Sequence, residues 1–236
     1  LLNMFRINNP YCFTALGSAM AFPVWAYKKA GGLTPVPAGE DFYFLQKLVK
    51  TGIIGLWTST IAYPSPRFSG RVTFGTGPAL IKGNEGNWTS YPHYRSKYFD
   101  NVGSTYVLFN NLFENEVVTP MDHFLKEQFK TTNVWEPIRK NYKDLRNFRR
   151  ACTNKVDGLR ILQYLRKQNE TNSDKDEIIM REFLMENYES ELPIDLLNNI
   201  ISLDYQYTSI ETLEKLRFFL FEKEQDLRQE RIVNFK

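Results

Sequence analysis

The sequence predicts an α+β protein, predominantly α: a partial α/β segment with a few strands over residues 1–85, then a helical domain over residues 86–236. Three observations predict it. Two runs are β-prone, Tyr11–Leu16 and Gly55–Tyr63. From Phe99 onward the apolar residues Phe99, Val102, Tyr106, Phe109 and Phe113 recur at helical spacing instead. Between the two regimes lies Gly83–Tyr94, rich in Gly, Asn, Trp, Tyr and Pro, which reads as a loop or a domain join.

Taken in order, residues 1–10 read as polar and extended, closing on the turn signal Asn8-Asn9-Pro10. Tyr11–Leu16 is a short buried strand, ended by Gly17 and Ser18. Small residues at that break either admit a ligand close to the backbone or simply close the strand. Pro23 suits the first turn of a helix over Val24–Ala30, whose last turn carries Lys28 and Lys29 to complement the dipole. The next helix covers Asp41–Thr51, with Phe44, Leu45 and Leu48 on one face and Gly52 past its end. In Gly55–Tyr63, Leu56, Thr58, Thr60 and Ala62 alternate with Trp57, Ser59, Ile61 and Tyr63, so each face of that strand has partial cover. Further helices begin at Thr119-Pro120-Met121-Asp122 and span Trp135–Ala151, Val156–Lys167, Glu177–Tyr188 and Leu192–Ile201. Ser173 and Asp176 match the spacing of a capping box, and Ser209 caps a final helix that runs to Arg231. Helices with short joins make a compact helical domain.

The stretch Gly31-Gly32-Leu33-Thr34-Pro35-Val36-Pro37-Ala38-Gly39-Glu40-Asp41 organises the first part of the chain. Gly31 can take the left-handed conformation that closes a helix. Pro35 and Pro37 stiffen the loop and push the residue before each toward extended geometry. Glu40 and Asp41 then fall in the first turn of a new helix, where unpaired N–H groups and the dipole favour negative charge. By itself this is an acidic helix start. Its flanks are more specific: Gly17-Ser18-Ala19-Met20-Ala21-Phe22-Pro23 before it, and Gly52, a strand and Pro64-Ser65-Pro66-Arg67 after it.

That ordered set resembles the second half of a bacterial family 2-like glycosyltransferase domain of the GT-A type, and the resemblance covers residues 1–85. It implies transfer of a sugar from a nucleotide-diphosphate-sugar donor to a hydroxyl of a carbohydrate or lipid-linked acceptor. It implies Asp41 as general base and Glu40 as the group that orients the loop or the acceptor. Gly17 and Ser18 would line the substrate, and Arg67 and Arg71 would hold the donor diphosphate or an anionic acceptor. Arginine's planar fork suits that task, although either arginine could instead pair with Glu40 or Asp41. A divalent metal, Mn²⁺ or Mg²⁺, is implied as cofactor, but its Asp-x-Asp-type motif and the nucleotide-binding half are not in this sequence. Asp174-Lys175-Asp176 reads as a helix start rather than a metal site, so no metal ligand is expected in this chain. With Leu1-Leu2 at its start, the chain is expected to be a C-terminal fragment that does not catalyse alone.

Composition narrows the alternatives. Apolar residues are 42% of the chain, enough for a packed core. A net charge of +3 with no recognised binding motif argues against nucleic acid as a partner. Through Asp100 there are ten Lys/Arg against four Asp/Glu, which leaves 20 against 23 in the remainder. The excess positive charge therefore sits in the transferase-like part. Cys12 and Cys152 read as reduced thiols of a cytoplasmic protein, and no run approaches the ~20 apolar residues of a spanning helix.

Other candidates are weaker. The aromatics Trp88, Tyr91 and Tyr94 either stack on sugar faces or pack in a core, and His93 and His123 read as polar surface before they read as ligands. Gly75-Thr76-Gly77 alone is thin evidence of phosphate binding. Arg139, Lys143, Arg146 and Arg150 form a basic stripe, either a solvated face or a contact with an anionic membrane surface or an acidic partner helix. The stripe supports the rival reading, a helical protein- or membrane-docking module with no catalysis of its own. It would also place the protein at the inner face of the membrane.

Overall fold

A computed structural model of the chain describes residues 1–15, 19–36, 39–63, 65–70, 75–170 and 174–233. Among these residues there is no strand, and the protein is all-α. This corrects the α+β class and its GT-A strands. Tyr11–Ala15 and Gly55–Tyr63 are turns and irregular chain, and among the described residues neither is paired with a neighbouring backbone. A β-prone run becomes a strand only when a second run meets its N–H and C=O groups, because a side-chain pattern alone cannot satisfy them.

Thirteen α-helices follow one another among the described residues. The first part holds α1 (Leu2–Arg6), α2 (Val24–Lys29), α3 (Glu40–Val49) and α4 (Thr76–Asn84). Then come α5 (Ser96–Val107), α6 (Phe109–Glu114), α7 (Asp122–Phe129), α8 (Glu136–Asn141), α9 (Leu145–Lys155) and α10 (Gly158–Asn169). The last three are α11 (Asp176–Tyr188), α12 (Ile194–Ile200) and α13 (Ile210–Val233).

Three apolar clusters hold these helices. The largest joins α5 to α10 through Val102, Phe109, Leu112, Leu125, Phe148 and Cys152, and takes in Tyr11 from the N-terminal segment. The second joins α11, α12 and α13 through Leu184, Leu196, Ile200 and Leu216. The third is small, with Ala26 of α2 against Phe44, Leu45 and Leu48 of α3. Each such large side chain contributes about 1.5–3 kcal/mol by leaving water. The segment expected to be extended at the N-terminus is instead α1, because Leu2 packs on the second cluster while Met4 and Ile7 pack on the first. Arg6 then fastens α1 to α5 through Asp100, at 2.6 Å.

Most helices after Phe99 fall where periodicity places them. The single helix expected over Trp135–Ala151 is instead two. Tyr142 is extended, and Asp144 starts α9 by accepting the Asn147 N–H at 2.8 Å. A local cap therefore wins over a continuous apolar stripe. Asp157 caps α10 in the same way, through the Arg160 N–H at 3.0 Å. Ser209 caps α13 as expected, accepting from the Thr212 N–H at 3.2 Å. Thr119 does not act as a backbone cap, since its hydroxyl goes to the Asp122 carboxylate at 2.5 Å. Gly75-Thr76-Gly77-Pro78 opens α4, where Pro78 forfeits no helical hydrogen bond. The expected capping box at Ser173 lies outside the described residues.

Candidate functional site

The loop that carries the acidic pair is built from its two ends. At the end of α2, the Gly31 N–H reaches the Lys28 carbonyl at 3.1 Å and the Gly32 N–H reaches the Tyr27 carbonyl at 3.0 Å. That paired closure needs positive φ at Gly31 (74°), and Gly32 adopts 71°. At the other end Gly39 takes φ 79° and launches α3, so Glu40 and Asp41 occupy its first turn, as the sequence predicts. Glu40 is exposed; Asp41 is half-buried, and its Oδ1 accepts the Phe42 N–H at 2.7 Å.

Two further devices hold this loop. From the last turn of α3, Lys47 Nζ donates to the Gly32 carbonyl at 3.2 Å and to Thr34 Oγ1 at 2.8 Å. Beneath the loop, Phe22 stacks on Tyr27 (centroids 6.0 Å) and meets Phe44 edge-on (4.8 Å). The Tyr27 ring lies so close to Gly32 that a Cβ there would meet its hydroxyl at 3.1 Å. The carboxylates thus sit on a helix whose apolar side is packed and whose polar side is tethered to the loop before it. Sequence reading missed Lys47, because its partners lie 13 and 15 residues away and carry no local signal.

Alongside α3 runs a cavity of about 220 Å³. Met20, Phe22 and Pro23 wall one side, Leu45 and Leu48 the helix side, and Ile53 contributes from the segment after α3. The structure therefore brings the Met-Ala-Phe segment, α3 and the segment after α3 around one small space.

The other predicted site residues are more scattered. Arg67 is exposed, and no ion pair joins it to Glu40. Gly17, Ser18 and Arg71 lie outside the described residues. Trp88 and Tyr91 are exposed, at 65% and 63%, whereas Tyr94 packs against the largest apolar cluster. His123 lies on the surface beside Glu127, at 3.3 Å. His93 is built into the fold: its N–H donates to Asp176 Oδ1 at 2.9 Å and its ring lies 3.4 Å from the Tyr205 hydroxyl. Burial, and then the charges of Asp176 and Glu177, push the Tyr205 phenol up. Asp176 is thus tied to His93, and Asp174 of the same triplet to Arg95. Among the described residues no group of three or more His, Cys, Asp or Glu converges to hold a metal ion.

No family model, curated protein or solved structure matches this chain. No helix among the described residues is long and apolar enough to cross a membrane.

The basic stripe is also rearranged. Arg139 turns inward, donating to the Leu112 carbonyl at 2.9 Å and the Asn115 carbonyl at 3.2 Å, so it closes the end of α6. Lys143, Arg146, Arg149 and Arg150 stay exposed, on and just before α9.

Proposed function

We propose that this chain is the acceptor-side portion of a family 2-like glycosyltransferase. In that reading Asp41 is the general base of a sugar transfer from a nucleotide-diphosphate donor. The observation that carries it is the Gly39-launched first turn of α3, with Asp41 held beside a loop that Lys47 clamps. A catalytic carboxylate must be held still to within a fraction of an ångström, and packing plus a tethered loop does that.

The step balances without further groups from this chain. The acceptor hydroxyl oxygen bonds to the anomeric carbon of the donor sugar, and its proton passes to an Asp41 carboxylate oxygen. The bond to the diphosphate breaks, and the diphosphate leaves with the electron pair. Glu40, exposed one residue earlier, orients the acceptor, and Arg67 adds positive charge for an anionic substrate. The resemblance places donor binding and the divalent metal in a preceding half, and the metal would there offset the charge of the leaving diphosphate. The protein is proposed to work in the cytoplasm.

Calorimetric titration of the 236-residue chain with nucleotide-sugars and Mn²⁺, beside the same titration of the full-length protein, tests the division of labour. Donor binding only by the full-length protein is expected. Donor binding of equal strength by both would overturn it.

A second reading has one specific observation in its favour. Lys143, Arg146, Arg149 and Arg150 are exposed and have no ion-pair partner among the described residues. A peripheral contact with an anionic membrane would use them, and it is compatible with the enzyme reading. Sedimentation with phosphatidylserine vesicles reports it, and no sedimentation would remove it.

A further inference from the structure

Away from α3, a cavity of about 470 Å³ opens between the start of α4 and the end of α10. Gly75, Pro78, Ala79 and Lys82 form the α4 side, Ser90 and Tyr91 come from the loop after it, and Arg166 closes the α10 side. The two charged residues of the lining are both cations, and no carboxylate lines the cavity. Neither Lys82 nor Arg166 forms an ion pair among the described residues. The contrast with the next residue is instructive, since Lys167 finds Glu127. Glu85 lies three residues beyond Lys82 in sequence and does not pair with it.

A cation at the end of a helix ordinarily complements the dipole, and each of these two sits in the last turn of its own helix. That role gives no reason for both to line one space together with Ser90 and Tyr91. From this convergence we propose that the cavity binds an organic diphosphate. An arginine fork and a lysine ammonium on separate elements suit an anion with two charged centres. Ser90 and Tyr91 add donors, and the exposed Tyr91 ring offers a face for a group attached to the diphosphate. The volume leaves room beyond the diphosphate itself.

The site stands on its own residues. If the glycosyltransferase reading also holds, donor binding lies elsewhere, so the diphosphate bound here belongs to a lipid-linked acceptor. The test is calorimetry on the 236-residue chain with inorganic pyrophosphate, without metal. Binding stronger than about 1 mM is expected. Lys82→Ala and Arg166→Ala should each weaken it by about tenfold or more, the loss of one charge-assisted contact. Arg166→Lys should recover part of the loss, because it keeps the charge and gives up the fork. Lys175→Ala, an exposed cation outside the cavity, should leave binding unchanged. A further titration with a short isoprenyl diphosphate, expected to bind more tightly than a nucleotide-sugar, assigns the source. No pyrophosphate binding, or an equal loss in Lys175→Ala, would overturn the proposal. Neither result bears on Asp41, so this site and the transferase reading fail separately.

Discussion

Gln46 Oε1 of α3 accepts the Leu159 N–H of α10 at 2.8 Å, across 113 residues of sequence. The amide is buried, and it satisfies an N–H in the first turn of α10 that has no partner within the helix. The helix that carries Glu40 and Asp41 is therefore bonded directly to the largest helical cluster.

Gln46→Ala leaves that N–H buried and unpaired, and a loss of about 1–3 kcal/mol in unfolding free energy is expected. Gln46→Glu keeps an acceptor oxygen and should lose less. Urea denaturation of both variants measures it. Equal stability of Gln46→Ala and the parent chain would show that the contact does not couple the two parts.

Lys47→Met keeps the length of the side chain and removes both bonds to the loop. Its fold should hold, because the apolar face of α3 is untouched. Limited proteolysis should cut the loop after Gly32 faster than in the parent chain, and under the transferase proposal turnover should fall as well. An unchanged cleavage rate would deny Lys47 its positioning role.

Buried Asp122 accepts from both Thr119 Oγ1, at 2.5 Å, and Trp135 Nε1, at 2.8 Å. Asp122→Ala strands both donors. Asp122→Ala should cost about 2 kcal/mol or more, since two buried donors lose their acceptor. Thermal unfolding beside Thr119→Val, which removes one donor, checks the order. A smaller loss in Asp122→Ala than in Thr119→Val would contradict the network.

Burial pushes the Cys152 thiol up to about 12, and raises the Tyr11, Tyr106 and Tyr164 hydroxyls as well. The neutral forms are favoured in the folded state. Their contribution is complete below the unfolded pKa values, about 8.5 for a thiol, and is lost as pH rises through the folded ones. Denaturation midpoints should therefore hold between about pH 7 and 8.5 and fall above that. Cys152→Ala should be less stable overall but show a shallower alkaline fall. An equal slope in both proteins would show that the thiol does not contribute.

The helices were legible wherever a cap or an apolar stripe lay within a few residues, as at Gly39, Ser209 and Leu184. They were misread where a local cap interrupts a stripe, as at Asp144, or where a short helix is held by distant contacts, as at Leu2 and Phe5. The strands failed for a different reason. Alternation in Gly55–Tyr63 says which side chains share a face, but not whether another backbone lies alongside. At the site, the acidic pair and its glycine were readable from local turn chemistry. The residues that hold them in place, Gln46 and Lys47, act across the fold and leave no mark in their own neighbourhood.

The most direct test of the central claim is the turnover of Asp41→Asn in the full-length protein. The substitution keeps the shape of the side chain and removes its basic oxygen. Asparagine also serves well at a helix start, so the melting temperature should not change. If Asp41 takes the acceptor proton, kcat should fall by about 10²–10⁴-fold while donor binding is nearly unchanged. A kcat close to that of the parent enzyme, with the same melting temperature, would leave Asp41 as a helix-starting residue and contradict the account.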